Sequence, residues 1–182
     1  MNPSKTHWYV LTGCPCSGIS TTLHALRDAG VPIVPEAARA IIDEKLARGM
    51  TISEVRRDDQ AFQQEVLERK IATESTLVRH EIRVLDRGLP DSIAYHELAG
   101  LDPSEVMRIC EPNLYRKVFF LEPLPWVRDY ARTEDERTLK WLAEKLRAVY
   151  TNMGYPIVPV PAASVQTRVR LIRSHINASS RT

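Results

Sequence analysis

YVLTGCPCSGIST, residues 9–21, carries the pattern of a phosphate-binding loop with one position changed. An apolar run ends at Leu11, Gly13 and Gly18 stand five apart, Ser20 and Thr21 follow, and an amphipathic segment begins. The spacing fits G-x-x-x-x-G-K-[ST] everywhere except at the lysine, where the chain has Ile19. Such a loop works through its backbone. Glycines let successive N–H groups turn inward, and the following helix N-terminus adds positive potential. Gly13, Ser17, Gly18, Ile19, Ser20 and Thr21 are therefore the candidate phosphate-binding positions, and Ser20 is placed to put a hydroxyl on Mg²⁺. The plainer reading is an ordinary strand-to-helix turn that uses two glycines.

Outward from this loop, short apolar runs alternate with longer amphipathic segments. The runs cover 7–11, 31–34, 82–85, 118–121 and 157–160. They are near-continuous and rich in β-branched residues, as strands buried on both faces are. Helical spacing is expected over 20–28, 36–48, 138–150 and 164–176. Thr51 to Glu54 reads as a capping box opening a long helix to about residue 79. Asp91 is expected to cap a short helix, and Asp102-Pro103 to open another. Strands alternating with helices predict an α/β fold in three layers around a mainly parallel sheet. No repeat or linker is visible, so residues 1–182 are expected to form a single nucleotide-binding domain.

Two more strand ends carry polar groups. The second strand delivers Glu36 and Arg39 through VPIVPEAARA, and the third delivers Asp86 and Arg87 through IRVLDRGLPD. Ligands of open α/β sheets gather at the carboxyl ends of strands. A carboxylate there can hold Mg²⁺ or accept a hydroxyl proton. The stretch 123–138 is dense in charge, and Arg128, Arg132 and Arg137 are candidates for a lid that closes on phosphates. Trp126 reads as an anchor for that lid.

Bulk numbers agree with a soluble, cytoplasmic chain. Of 182 residues, 43% are hydrophobic and 26% charged, and the net charge of +2 does not by itself imply nucleic acid. No run approaches the roughly eighteen apolar residues of a membrane span. The start of the chain lacks a signal-peptide pattern, and three cysteines do not suggest a disulfide framework. Arg168, Arg170, Arg173 and Arg181 make a basic C-terminal end that can meet anionic lipid. Val169, Ile172 and Ile176 mark the opposite face as core, so a solvated helix is the favoured reading.

The motifs VLTG-x-P-x-SG-x-ST, VPEAAR-x-II-x-E, DRG-x-PD-x-x-AY and YRKVFFLEPLPW, with the closing SV-x-x-R, resemble the AAA-type P-loop predicted-ATPase family. Its relatives include the ribosylnicotinamide kinase domain of NAD-biosynthesis proteins and the nucleotide-binding domain of the TRPL translocation defect protein. The resemblance runs from about residue 7 to 176. It implies a P-loop kinase-type fold with a five-stranded parallel sheet in the order 2-3-1-4-5. It also implies ATP or GTP with Mg²⁺ and an unknown small-molecule acceptor. Glu36, Asp86 and Arg132 take catalytic positions, Arg128 joins the phosphate-binding set, Arg39 and Arg87 face the acceptor, and Ser20 with Asp86 holds the metal.

Ile19 departs from that pattern. A lysine beside a phosphate oxygen contributes about 4 kcal/mol of raw attraction at an effective dielectric near 20. Desolvation lowers the net value, yet even about 3 kcal/mol is roughly a hundredfold in rate or affinity. Three explanations compete: an arginine from elsewhere (Arg87, Arg128 or Arg132), a chain that binds nucleotide without turning it over, or an accidental change at this position.

Overall fold

The computed structural model describes residues 5–112, 114–124 and 135–179. Five strands form one sheet: β1 (Trp8–Thr12), β2 (Ile33–Val34), β3 (Arg83–Asp86), β4 (Lys117–Leu121) and β5 (Ile157–Val160). Their order is β2-β3-β1-β4-β5 and every pairing is parallel. This is the expected order, and β1 lies in the middle, where its carboxyl end can be reached from both sides.

The helices are α1 (Ile19–Asp28), α2 (Ala37–Ala47), α3 (Ile52–Val55), α4 (Asp59–Ser75), α5 (Asp91–Leu98), α6 (Ser104–Ile109), α7 (Glu136–Asn152) and α8 (Val165–Ser179). Side chains of β1 alternate between two cores, as a strand period of two requires. Tyr9 and Leu11 join Leu23, Leu26, Phe119 and Ile172 under α1 and α8. Trp8 and Val10 join Leu85, Val118, Tyr115 and Tyr150 on the other face. Burying a side chain of this size stabilises the fold by about 1.5–3 kcal/mol.

Two local expectations change. The capping box at Thr51 is present, with Glu54 Oε2 accepting from the Thr51 N–H at 2.8 Å, but it opens only α3. The long helix has its own cap: Asp58 is extended and its carboxylate accepts from the Ala61 N–H at 2.9 Å. That helix stops at Ser75 rather than near 79. Asp91 is no cap either. Pro90 holds the N-cap position, and the Asp91 side chain is fully buried beneath the phosphate loop. Among the described residues, no helix is long and apolar enough to cross a membrane.

Candidate functional site

The loop leaves β1 at Thr12 and enters α1 through Gly18. Gly13 has φ 154°, and a Cβ there would lie 2.7 Å from the Leu121 carbonyl oxygen, so only glycine fits over the end of β4. Gly18 is the left-handed N-cap of α1 (φ 81°) and supplies no side-chain cap. The first amides of α1 thus lack a side-chain cap at the point where an anion is expected. Cys16 also has positive φ, at 70°. Ser17 lies under the loop, and its hydroxyl is a buried polar atom without a partner among the described residues. Ile19, in the lysine slot, is 6% exposed and packs with Leu23, Leu121 and Val160.

Arg87, at the end of β3, has φ 65° and is buried. Its Nη1 donates to the Gly13 carbonyl at 2.9 Å and to Asp91 Oδ1 at 3.3 Å, while Nε donates to Glu36 Oε1 at 3.1 Å. One guanidinium therefore joins the start of the loop to the ends of β2 and β3. Asp91 also accepts from the Thr12 hydroxyl at 2.5 Å, the Tyr150 hydroxyl at 2.5 Å and the Gly88 N–H at 2.9 Å. Charge-assisted bonds of this kind let a carboxylate stay in the core.

Lys70 of α4 is buried and donates to the Gly88 carbonyl at 3.0 Å and to Ser92 Oγ at 3.2 Å. Burial pulls its pKa down, and Arg87 adds to that effect. Glu74, one turn further on, accepts from the Tyr115 hydroxyl at 2.8 Å, and burial pushes its carboxyl up to about 7. Asp86 is 6% exposed. Burial first, then the negative charge of Glu36, pushes it up to about 7, against the opposing charge of Arg87.

A cavity of about 510 Å³ unites these parts. Gly18, Ile19, Ser20 and Thr21 border it at one end; Glu36, Arg39, Asp86 and Arg87 border it as well. Arg39, Ser20 and Thr21 are exposed on its wall. Gly13 and Ser17 are not on the wall but support the loop from below. Mg²⁺ takes one or two carboxylates together with hydroxyl, phosphate and water oxygens. Ser20 and Asp86, with Glu36 on the same cavity, offer that donor set, so the residues fit the ion. Arg128, Arg132 and Trp126 lie outside the described residues, as does most of the stretch 123–138. Arg137 stands exposed in the first turn of α7, which Asp135 caps.

Residues 8–168 match a family model described as an AAA domain. The chain belongs to that AAA domain family. No curated protein matches it. Solved structures do, at low identity. A deoxyadenosine kinase from M. mycoides, with dCMP and dCDP bound, aligns at TM-score 0.64 and 16% identity over 94% of this chain and 98% of its own. A thymidylate kinase from Ehrlichia chaffeensis aligns at TM-score 0.64 and 12% identity over 95% and 99%. The NadR protein in complex with NR aligns at TM-score 0.59 and 15% identity over 86% of this chain and 44% of that one. These likenesses show a P-loop kinase fold.

Three residues of this AAA domain were not legible as parts of the site. Asp91 and Lys70 carry its buried charge network. The third, Arg168, stands on α8, where the basic run suggested a solvated face. It is instead 2% exposed, and its Nη1 donates to the Ser17 carbonyl at 2.5 Å. Spacing held the clue: Arg168 shares the i, i+4, i+8 stripe with Ile172 and Ile176, both buried. Arg170 and Arg173 are exposed as expected.

Proposed function

We propose that this AAA domain binds ATP or GTP with Mg²⁺ and transfers the terminal phosphoryl group to a hydroxyl of a small-molecule acceptor. The observation that carries this reading is the shared cavity. The helix start of the phosphate loop and two carboxylates, Glu36 and Asp86, border one space, and Asp86 is raised to about 7. Perturbed carboxyls in a cleft are where proton transfer is expected.

In this reading the loop amides hold the β- and γ-phosphates, and Ser20 and Asp86 hold the metal. Mg²⁺, when bound, would spread the charge that develops on the phosphate oxygens. A cation beside Asp86 favours its ionised form, which leaves Glu36 to take the proton of the acceptor hydroxyl. The acceptor oxygen forms its bond to the γ-phosphorus as the bond to the β-phosphate bridging oxygen breaks, and the nucleoside diphosphate leaves. Arg39 and Arg87 face the acceptor. Arg128 and Arg132, in the lid proposed at about 123–138, close over the phosphates. The domain works as a single unit in the cytoplasm, without nucleic acid.

Turnover of Glu36→Gln and Asp86→Asn tests this. Each is expected to lose about 10²–10⁴-fold in rate with the fold intact. Unchanged turnover in both would refute the assignment.

One observation favours a second reading. Ile19 packs into the core at the slot where a lysine would meet phosphate. A chain built this way can bind nucleotide and act as a regulatory module, through a protein or through anionic lipid at Arg170 and Arg173. Calorimetric titration of MgATP and MgGTP, paired with a search for phosphorylated product, separates the two readings. Binding without product at any acceptor favours the regulatory one.

A further inference from the structure

Arg168 is a buried cation placed oddly for a structural residue. Its Nε donates to the Pro161 carbonyl at 3.0 Å, in the segment after β5. Its Nη2 reaches the Glu122 carbonyl at 3.5 Å, in the segment after β4. Its Nη1 holds the Ser17 carbonyl in the phosphate loop. All three acceptors are backbone carbonyls. Among the described residues no carboxylate comes within ion-pair distance of it. Glu122, whose backbone carbonyl Arg168 reaches, gives its carboxylate to Arg147 at 2.6 Å.

A buried charge of this kind is costly unless an opposite charge meets it. Carbonyl dipoles satisfy the N–H donors but leave the full positive charge in place. That charge lies against the N-terminus of α1, whose amides are themselves positive. A Cβ on Gly18 would come 3.0 Å from Arg168 Nη1, so nothing separates the guanidinium from the loop backbone. Two like potentials are thus held together beside the cavity, in a chain whose loop has Ile19 at the lysine position. The bond to Ser17 also sets direction. In a trans peptide the C=O and the next N–H point opposite ways, so clamping the Ser17 carbonyl on Arg168 aims the Gly18 N–H away from α8.

We propose that Arg168 is the positioning cation of the phosphate loop: it fixes the Ser17–Gly18 peptide in its anion-binding orientation and supplies, from behind the loop, positive charge that Ile19 no longer supplies from in front. The ligand class is a polyphosphate, the phosphate chain of a nucleotide. This rests on the nucleotide-binding reading above and deepens it. A strut that only joins three segments needs donors, whereas a positioning cation needs charge as well, and the two roles separate by experiment.

The test is calorimetric titration of MgATP, Mg²⁺-pyrophosphate and adenosine into the natural chain, Arg168→Gln, Arg168→Lys and Arg168→Gln/Ile19→Lys. Arg168→Gln is expected to weaken ATP and pyrophosphate by about tenfold or more while adenosine changes by less than about twofold. Arg168→Lys is expected to fall between, since it keeps the charge but cannot reach all three carbonyls. Ile19→Lys is expected to restore most of the loss. Pyrophosphate affinity unchanged in Arg168→Gln overturns the proposal, as does an equal loss of adenosine and pyrophosphate, which marks a strut. If Arg168→Gln does not fold, Arg168→Lys decides by the same criterion: a loss confined to the phosphate-bearing ligands supports the proposal, and no loss overturns it. A natural chain that binds neither ATP nor pyrophosphate refutes the nucleotide reading itself, a result distinct from a natural chain that binds and a variant that binds equally well.

Discussion

Both ends of the phosphate loop are held by buried arginines, and the two are balanced differently. At the start, Arg87 holds the Gly13 carbonyl and is met by two carboxylates, Glu36 and Asp91. At the end, Arg168 holds the Ser17 carbonyl and, among the described residues, meets only carbonyls. The first clamp borders the cavity but is neutralised inside the protein. The second keeps its charge open, and an incoming anion is what answers it. The same residue type is thus internally paired at one end of the loop and left without a counter-charge among the described residues at the other.

The largest test breaks the balanced end. Arg87→Met leaves Asp91 fully buried with hydroxyl and amide donors but without its ion-pair partner. A loss of about 3–5 kcal/mol is expected in urea unfolding. Arg168→Gln should cost far less stability, about 1 kcal/mol, since only neutral acceptors lose a partner. Equal losses in the two variants would erase the contrast.

Next comes the pH dependence on the carboxylate-rich side. The Glu74 carboxyl is raised from 4.5 to about 7, so between those values the folded chain keeps a proton that the unfolded chain releases. Stability from this group is therefore full below about pH 4.5 and falls as pH rises to 7; Asp86 adds a loss of the same sign. Glu74→Gln should remove a decline on the order of 3 kcal/mol between pH 4.5 and 8, read from denaturation midpoints. An undiminished decline would place the proton elsewhere.

Ile19→Lys sharpens the comparison from the other direction by adding a second cation at the open end. MgATP affinity should rise by about tenfold, with a small loss of core packing. The smallest effect is a control. Thr51→Ala removes an exposed capping box that shares no hydrogen bond with either clamp, and about 0.5–1 kcal/mol should be lost with nucleotide affinity unchanged.

The parts of this structure that were legible in the sequence are those governed by local rules. Strand periodicity, the glycine spacing and the polar strand ends led to a mainly parallel sheet with a site at its carboxyl edge, because each depends on neighbours along the chain, while the order of the strands came from the family resemblance. Ile19 packs inward because an apolar group at a helix start has a core beside it. What could not be read was the set of partners that the fold gathers around each buried charge. Asp91 looks like any acidic residue at a helix start, and only the positions of Thr12, Arg87 and Tyr150 explain its burial. Thr51 and Glu54 do form their box, yet a second cap at Asp58 interrupts the helix, and two adjacent caps in one sequence do not announce which one governs. Arg168 was misassigned because Arg170 and Arg173 surround it, and the sum of charges outweighed the stripe it shares with Ile172.

The bond between Arg168 and Ser17 spans 151 positions of the chain. A ribosome makes the phosphate loop 151 residues before the arginine that holds it. During synthesis, then, the loop emerges long before the residue that shapes it, and it waits through all of β2 to β5 for completion. A nascent chain should be unable to grip nucleotide until α8 has left the exit tunnel, which defers ligand binding until every strand of the sheet has been made.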